Sequence, residues 1–236
     1  MTLREKLTIP FDESSLDAIL ERPKAAERES VILLAHGAGA NMSSEFMETI
    51  SGLLVGRGFV VLRFDYPYMK RARELGRRQP PNRRDVLERA HRAAIGELAK
   101  RAPGRRILLA GKSMGGRMGS YLAAEDTDDG LAAGLIFLGY PLHPRKQPEK
   151  LRCDHFPILA VPALFLQGTR DDLCDLALLE KALDSYAGSA SLEIVEAADH
   201  GFDVLKRSGR EPNEVRLELI DSIDRWERET FPKSRS

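Results

Sequence analysis

The chain reads as an α/β protein, with a mostly parallel central sheet, helices on both faces and a hairpin at one edge. Two observations predict this. Short runs rich in Val, Ile and Leu, closing on glycine or polar turns, alternate with longer segments of helical period, the alternation of buried strand and crossover helix. A length of 236 residues suits one core, since single cores stop growing at roughly 250–300 residues. No repeat, low-complexity tract or linker divides the chain, so residues 1–236 are expected to form one domain.

The elements follow in order. Residues 7–11 and 16–20 flank the polar stretch 12–15 and read as an edge hairpin. Residues 31–35, 59–64, 106–110, 135–138, 163–167 and 192–195 are apolar runs bounded by turn residues and read as buried central strands. Between them, 44–55, 84–101, 114–124, 176–187 and 212–229 place apolar residues at helical spacing. Open sheets of this kind bind ligands at the carboxyl ends of the strands, so the loops leaving those ends are where chemistry is expected.

Composition narrows the function. Lys plus Arg (36) balances Asp plus Glu (36), which gives no reason to expect nucleic acid as a partner. Cys153 and Cys174 are the only cysteines, too few for a disulfide framework and without the paired spacing of a zinc site, so they read as reduced thiols. The amino terminus mixes charges with isolated apolar residues, and the longest apolar run, 131–142, is much shorter than the ~20 residues that span a bilayer. A cytoplasmic protein without a membrane span is expected.

The loop after the third central strand reads Gly111-Lys112-Ser113-Met114-Gly115, a G-x-S-x-G between a strand and a helical segment. That context fits a strained strand-to-helix turn, where glycines leave room for the tight backbone and the serine hydroxyl projects above the sheet. The same residues resemble the end of a phosphate loop, but its first glycine would fall at Arg106, inside the strand. A serine needs a base oriented by a carboxylate. Of five histidines, His91 lies in a charged helix, and His143 and His155 lie in a Pro-rich connection. His200 alone follows the last strand, in Ala198-Asp199-His200-Gly201-Phe202. For the acid, Asp171 emerges in Gly168-Thr169-Arg170-Asp171-Asp172, just beyond a strand end, while Asp172 and Asp175 lie further along. Taken alone, Asp171 reads more readily as a turn residue or helix cap. The chain order Ser113, Asp171, His200 is the one that α/β-hydrolases use.

Acyl transfer also needs donors where the oxyanion forms, and His36-Gly37-Ala38-Gly39 is a small-residue loop after the first central strand. The set HGAG, GKSMGG, GTRD and ADHGF, spanning roughly 31–202, resembles the α/β-hydrolase superfamily, and within it the small cap-less members similar to dienelactone hydrolases. The resemblance implies that the backbone N–H groups of Ala38 and Met114 form the oxyanion hole, with His36 shaping the loop. The chain departs from dienelactone hydrolase itself in having serine as the nucleophile. Only about twenty residues, including Pro141, Pro144, Pro148 and Pro157, separate Leu138 at the end of the fourth central strand from Ile158, so no large lid is expected and the mouth should be open.

The expected activity is hydrolysis of a small-molecule carboxylic ester or thioester through an acyl-serine intermediate, needing no metal or organic cofactor. The alternative is a hydrolase fold that has lost catalysis and serves as a binding or scaffold protein. Charge is uneven along the chain: residues 70–106 hold thirteen basic against four acidic residues. Most belong to a solvated helix face, whereas Lys70, Arg71, Arg73, Arg77 and Arg78 leave a strand at the catalytic edge and could form an anion-recruiting rim.

Overall fold

The computed structural model describes residues 2–125 and 130–232. Its elements run β1 (Thr2–Phe11), β2 (Ser14–Pro23), β3 (Ser30–Ala35), α1 (Glu45–Gly56), β4 (Val60–Phe64), α2 (Pro67–Glu74) and α3 (Arg84–Arg101). They continue with β5 (Arg106–Lys112), α4 (Met114–Glu125), β6 (Gly134–Leu138), β7 (Ala163–Gly168), α5 (Leu176–Leu183), β8 (Ala190–Val195) and α6 (Pro212–Thr230). The strands form one sheet in the order β1-β2-β4-β3-β5-β6-β7-β8. β1 pairs antiparallel with β2, and β2 antiparallel with β4, while all later pairings are parallel. The expected mostly parallel sheet with an edge hairpin is the one found.

Alternation along each strand splits the core into two layers. Val31, Leu33 and Ala35 of β3 pack with Leu87, Ala94 and Leu98 of α3 and Met118 and Leu122 of α4. Ile32 and Leu34 point the other way, onto Met47, Ile50 and Leu54 of α1 and Leu219, Ile223 and Trp226 of α6. Successive side chains on a strand face opposite sides, so an unbroken apolar run needs helices on both faces. Arg63 of β4 interrupts one such run yet is fully buried; it pairs with Glu21 on neighbouring β2 at 2.9 Å, which keeps the charge compensated.

Several elements differ from the sequence reading. The hairpin strands are ten residues each, because an edge strand with one solvated face carries Arg4, Glu5 and Lys6 within it and an apolar run does not report its length. β8 was expected to be central and buried but is the sheet edge, with Val195 alone of its residues buried and Ile194 45% exposed. α2 was not expected: it buries only Tyr68 and so shows no apolar stripe, its start being set by Pro67 in the first turn, where a missing N–H costs nothing. α5 also stops at Leu183, short of the expected 187.

Between β6 and β7 the chain makes only a 3-10 turn, Phe156–Ile158, packed under Tyr140 and Phe165 with ring centroids 5.4 and 5.8 Å away; the described residues form no large lid. No helix of the described residues is long and apolar enough to cross a membrane, and both cysteines are free. β4 and β5 lie on opposite sides of β3, so the crossovers diverge there and leave a crevice at the carboxyl ends of β3 and β5.

Candidate active site

Ser113 is the single residue between β5 and α4 and has φ +51°, a left-handed conformation that costs a non-glycine residue about 1–3 kcal/mol. The flanking glycines are required by close packing. A Cβ at Gly111 would collide with the Gly116 backbone nitrogen, and one at Gly115 would sit 2.5 Å from the Ala35 carbonyl oxygen. The start of α4 therefore presses on the end of β3, and the hydroxyl is held in the crevice between them.

His200 and Asp171 are brought to that hydroxyl by two loops fastened to each other. The Arg170 N–H donates to the Ala198 carbonyl at 2.9 Å, and a Cβ on Gly168 would collide with the same carbonyl, so the bare glycine permits the approach. His200 Nε2 lies 2.9 Å from Ser113 Oγ and Nδ1 lies 2.7 Å from Asp171 Oδ2. The carboxylate can only accept from Nδ1–H, which leaves Nε2 as the acceptor facing the serine. Asp171 is buried and takes two further donors, Gln167 Nε2 at 2.5 Å and the Leu173 N–H at 2.8 Å. Gln167 is itself fixed, its Oε1 accepting from the Tyr140 N–H at 2.9 Å.

The loop after β3 is turned by its carbonyls. The Gly37 oxygen accepts from His36 Nδ1 at 2.8 Å and from the Tyr68 hydroxyl at 3.4 Å, and the Ala38 oxygen accepts from the same hydroxyl at 3.1 Å. A trans peptide holds C=O and N–H on opposite sides, so the Ala38 N–H faces away from His36 and Tyr68. By the same geometry, the Ser113 carbonyl accepts the Arg117 N–H at 3.1 Å and the Met114 N–H points out of the first turn of α4, where helical donors lack internal partners.

The other candidates are occupied elsewhere. Asp172 pairs with Arg145 at 2.7 Å, and Asp175 caps α5 by accepting the Leu178 N–H at 3.0 Å. His143 accepts the Asp175 N–H at 2.9 Å, His155 bonds Ser120 Oγ at 2.8 Å, and His91 meets the Tyr66 hydroxyl at 3.1 Å. Among the described residues no group of three or more His, Cys, Asp or Glu side chains is arranged to hold a metal ion. Sequence reasoning missed Gln167, Tyr68 and the role of Lys112. The Lys112 ammonium donates to the His200 carbonyl, with its Nζ 5.5 Å from the Phe202 ring centroid. Burial lowers it to about 8, against the opposing pull of Asp171, Asp199 and Asp203. The local spacing of Gly111-Lys112-Ser113 carries no signal of a tether to a residue 88 positions away.

The basic rim is narrower than expected. Arg73 is consumed by Asp65 and Asp17, and Lys70 by Ser14 and Ser15 at 3.1 and 3.3 Å, so both face the hairpin. Arg77 and Arg78 line a shallow cleft with Ala38, Gly39 and Tyr68.

Residues 28–228 match the model of a family described as alpha/beta hydrolase domain. The chain is similar in structure to a dienelactone hydrolase from Anabaena variabilis, at 20% identity over 97% of this chain and 98% of that one, with a TM-score of 0.77. It is also similar to an alpha-beta serine hydrolase homologue from Coxiella burnetii (18% identity, 93% and 97% covered, TM-score 0.72). A serine hydrolase without lid from Xanthomonas campestris aligns at 19% identity over 94% of both chains, with a TM-score of 0.67. At these identities the likeness is one of fold.

Proposed function

This chain belongs to the alpha/beta hydrolase domain family, and on that footing we propose that it cleaves a small-molecule carboxylic ester or thioester through an acyl-serine intermediate. The observation that carries the reading is the continuous chain from Asp171 Oδ2 through His200 to Ser113 Oγ, at 2.7 and 2.9 Å, ending on a serine in a strained turn.

Ser113 Oγ attacks the carbonyl carbon as its proton passes to His200 Nε2. The imidazolium stays paired with Asp171, and the oxyanion takes the Ala38 and Met114 N–H groups. Collapse breaks the bond to the leaving oxygen or sulfur, which takes the proton from Nε2 and departs as alcohol or thiol. Water then gives a proton to Nε2 and attacks the acyl-serine; collapse releases the acid and returns the proton to Ser113. None of these steps calls on a metal or organic cofactor. We take residues 1–236 as one domain, and the two free thiols fit the reducing conditions of the cytoplasm.

Turnover of matched p-nitrophenyl and thioester acyl substrates by wild type and Ser113→Ala tests the reading. The variant should fold and lose turnover by ~10⁴-fold or more. A folded variant with wild-type rates removes Ser113 from the reaction, and a wild type inert to all acyl substrates favours a binding or scaffold role.

A further inference from the structure

Two guanidinium groups share one cleft beside the elbow without a carboxylate between them. Arg117 lies four residues beyond Ser113 on α4, so it leaves the same helix face one turn further on. Arg152 belongs to the short connection between β6 and β7. Its N–H donates to the Leu142 carbonyl at 2.8 Å and its carbonyl accepts the Tyr140 hydroxyl at 2.5 Å. Arg152 is thus positioned through its backbone rather than by an ion pair. With Ala38, Met114, Asn82 and Arg84, the two residues line a cleft of about 330 Å³.

Nearby arginines are neutralised and these two are not. Arg84 pairs with Glu88 and Glu125, and Arg92 with Glu125. Among the described residues neither Arg117 nor Arg152 has a carboxylate within ion-pair distance, and Arg117 Nε is buried with no hydrogen-bond partner. Burial and then the nearby Arg117 charge hold the Arg152 guanidinium below its ordinary range. Burial, then Arg84 and Arg117, push His155 down to about 4. Cations held together in a partly dry cleft repel each other, and a bound anion removes that repulsion while forming charge-assisted hydrogen bonds.

We propose that Arg117 and Arg152 form an anion subsite of the catalytic cleft, which receives a carboxylate or phosphate-type group on the acyl part of the substrate. The proposal rests on the acyl-serine reading of Ser113. The acyl part is the one assigned because Ala38 and Met114, whose N–H groups take the oxygen of the reacting carbonyl in that reading, border the cleft. One helical turn, about 6 Å along α4, separates the nucleophile from Arg117. The preferred acyl chain is therefore short, with roughly two to four carbons between carbonyl and anion.

The test compares kcat/KM at low salt for the p-nitrophenyl monoester of glutarate, its phosphonate-ended analogue and the neutral valerate ester. At least one anionic ester should exceed the neutral one by about 10-fold or more, the size expected of hydrogen bonds to a charged partner. The carboxylate and phosphonate arms show which anion fits. That ratio should fall toward one in Arg117→Gln/Arg152→Gln and persist in Arg77→Gln/Arg78→Gln. If the double variant does not fold, the single variants carry the same comparison. A ratio near one in wild type, or one that survives loss of both arginines, overturns the proposal. Calorimetry of glutarate and inorganic phosphate with folded Ser113→Ala protein separates the two claims. Binding that depends on Arg117 and Arg152, together with no turnover of any ester, sustains the subsite and removes the acyl-serine reading. Turnover without anion preference does the opposite.

Discussion

Two histidine–aspartate pairs stand at the carboxyl end of the same sheet, one after β3 and β4, the other after β7 and β8. His36 Nε2 lies 3.7 Å from Asp65 and His200 Nδ1 lies 2.7 Å from Asp171. Both histidines carry the proton on Nδ1, because His36 Nδ1 faces the Gly37 carbonyl while its Nε2 accepts the Tyr66 N–H at 3.2 Å. The difference is in what the second nitrogen meets and whether solvent reaches it. His36 is fully buried and ends on backbone, whereas the His200 side chain is 24% exposed and ends on the Ser113 hydroxyl. Burial lowers the His36 pKa, so it stays neutral and holds the loop. A histidine beside an aspartate is thus not a catalytic base by composition; the serine hydroxyl on its free nitrogen is what separates the two, and it is this contact that carries the proposed reading.

The largest expected effect breaks the pairs apart. His200→Ala should lower kcat by ~10⁴-fold or more with little change in Tm. His36→Ala should cost about 2–4 kcal/mol of stability, through the cavity and the orphaned Tyr66 N–H, with a far smaller loss of kcat. Stopped-assay kinetics and thermal melts on both variants read this crossing directly, and equal losses in both columns would erase the distinction.

The carboxylates sharpen the same contrast. Asp171→Asn should reduce kcat by ~10⁴-fold, since an amide cannot hold the required tautomer. Asp172→Asn and Asp175→Asn should stay within a few-fold, the first losing an exposed ion pair and the second keeping a good helix cap. A severe loss confined to Asp172 or Asp175 would move the acid to that position.

At Ser113 the effect is on stability. Glycine accepts φ +51° without strain, so Ser113→Gly should gain roughly 1 kcal/mol after its own entropy cost, a Tm rise of about 2–4 °C. Ser113→Ala should show no such gain. Melting curves in which Gly and Ala variants coincide would show that the turn stores no strain.

Lys112 gives the smallest effect. Its folded value of about 8 lies below its ordinary 10.5, so between those values the unfolded chain binds more protons, and this group makes stability rise with pH across that window. Activity should move the other way. Loss of the charge weakens the bond to the His200 carbonyl and lowers kcat/KM several-fold around pH 8. Lys112→Met should lack that alkaline decline in a pH–rate profile, and an unchanged profile would leave Lys112 a packing residue only.

Much of this was legible in the sequence, for physical reasons that also mark where it stopped. The central parallel strands announced themselves because both faces are buried, and the elbow because Gly111 and Gly115 fill positions where any Cβ collides. α2 and the length of β1 were hidden by solvent-facing charges. Gln167 and Tyr68 were hidden because partners of theirs lie in other loops, and Arg117 and Arg152 because the cleft they share joins segments far apart in the chain, which no spacing along it records. The same limit explains the rim: Lys70 and Arg73 look free in sequence and are engaged across the hairpin.

The most direct test is reaction with a fluorophosphonate, followed by peptide mapping, in wild type, His200→Ala and His36→Ala. The account predicts a single adduct on Ser113 in wild type and at least ~10³-fold slower labelling in His200→Ala, because the serine then lacks its base. It also predicts labelling near the wild-type rate in folded His36→Ala. An adduct on another residue, no adduct at all, or labelling of Ser113 that proceeds as fast without His200 would contradict it.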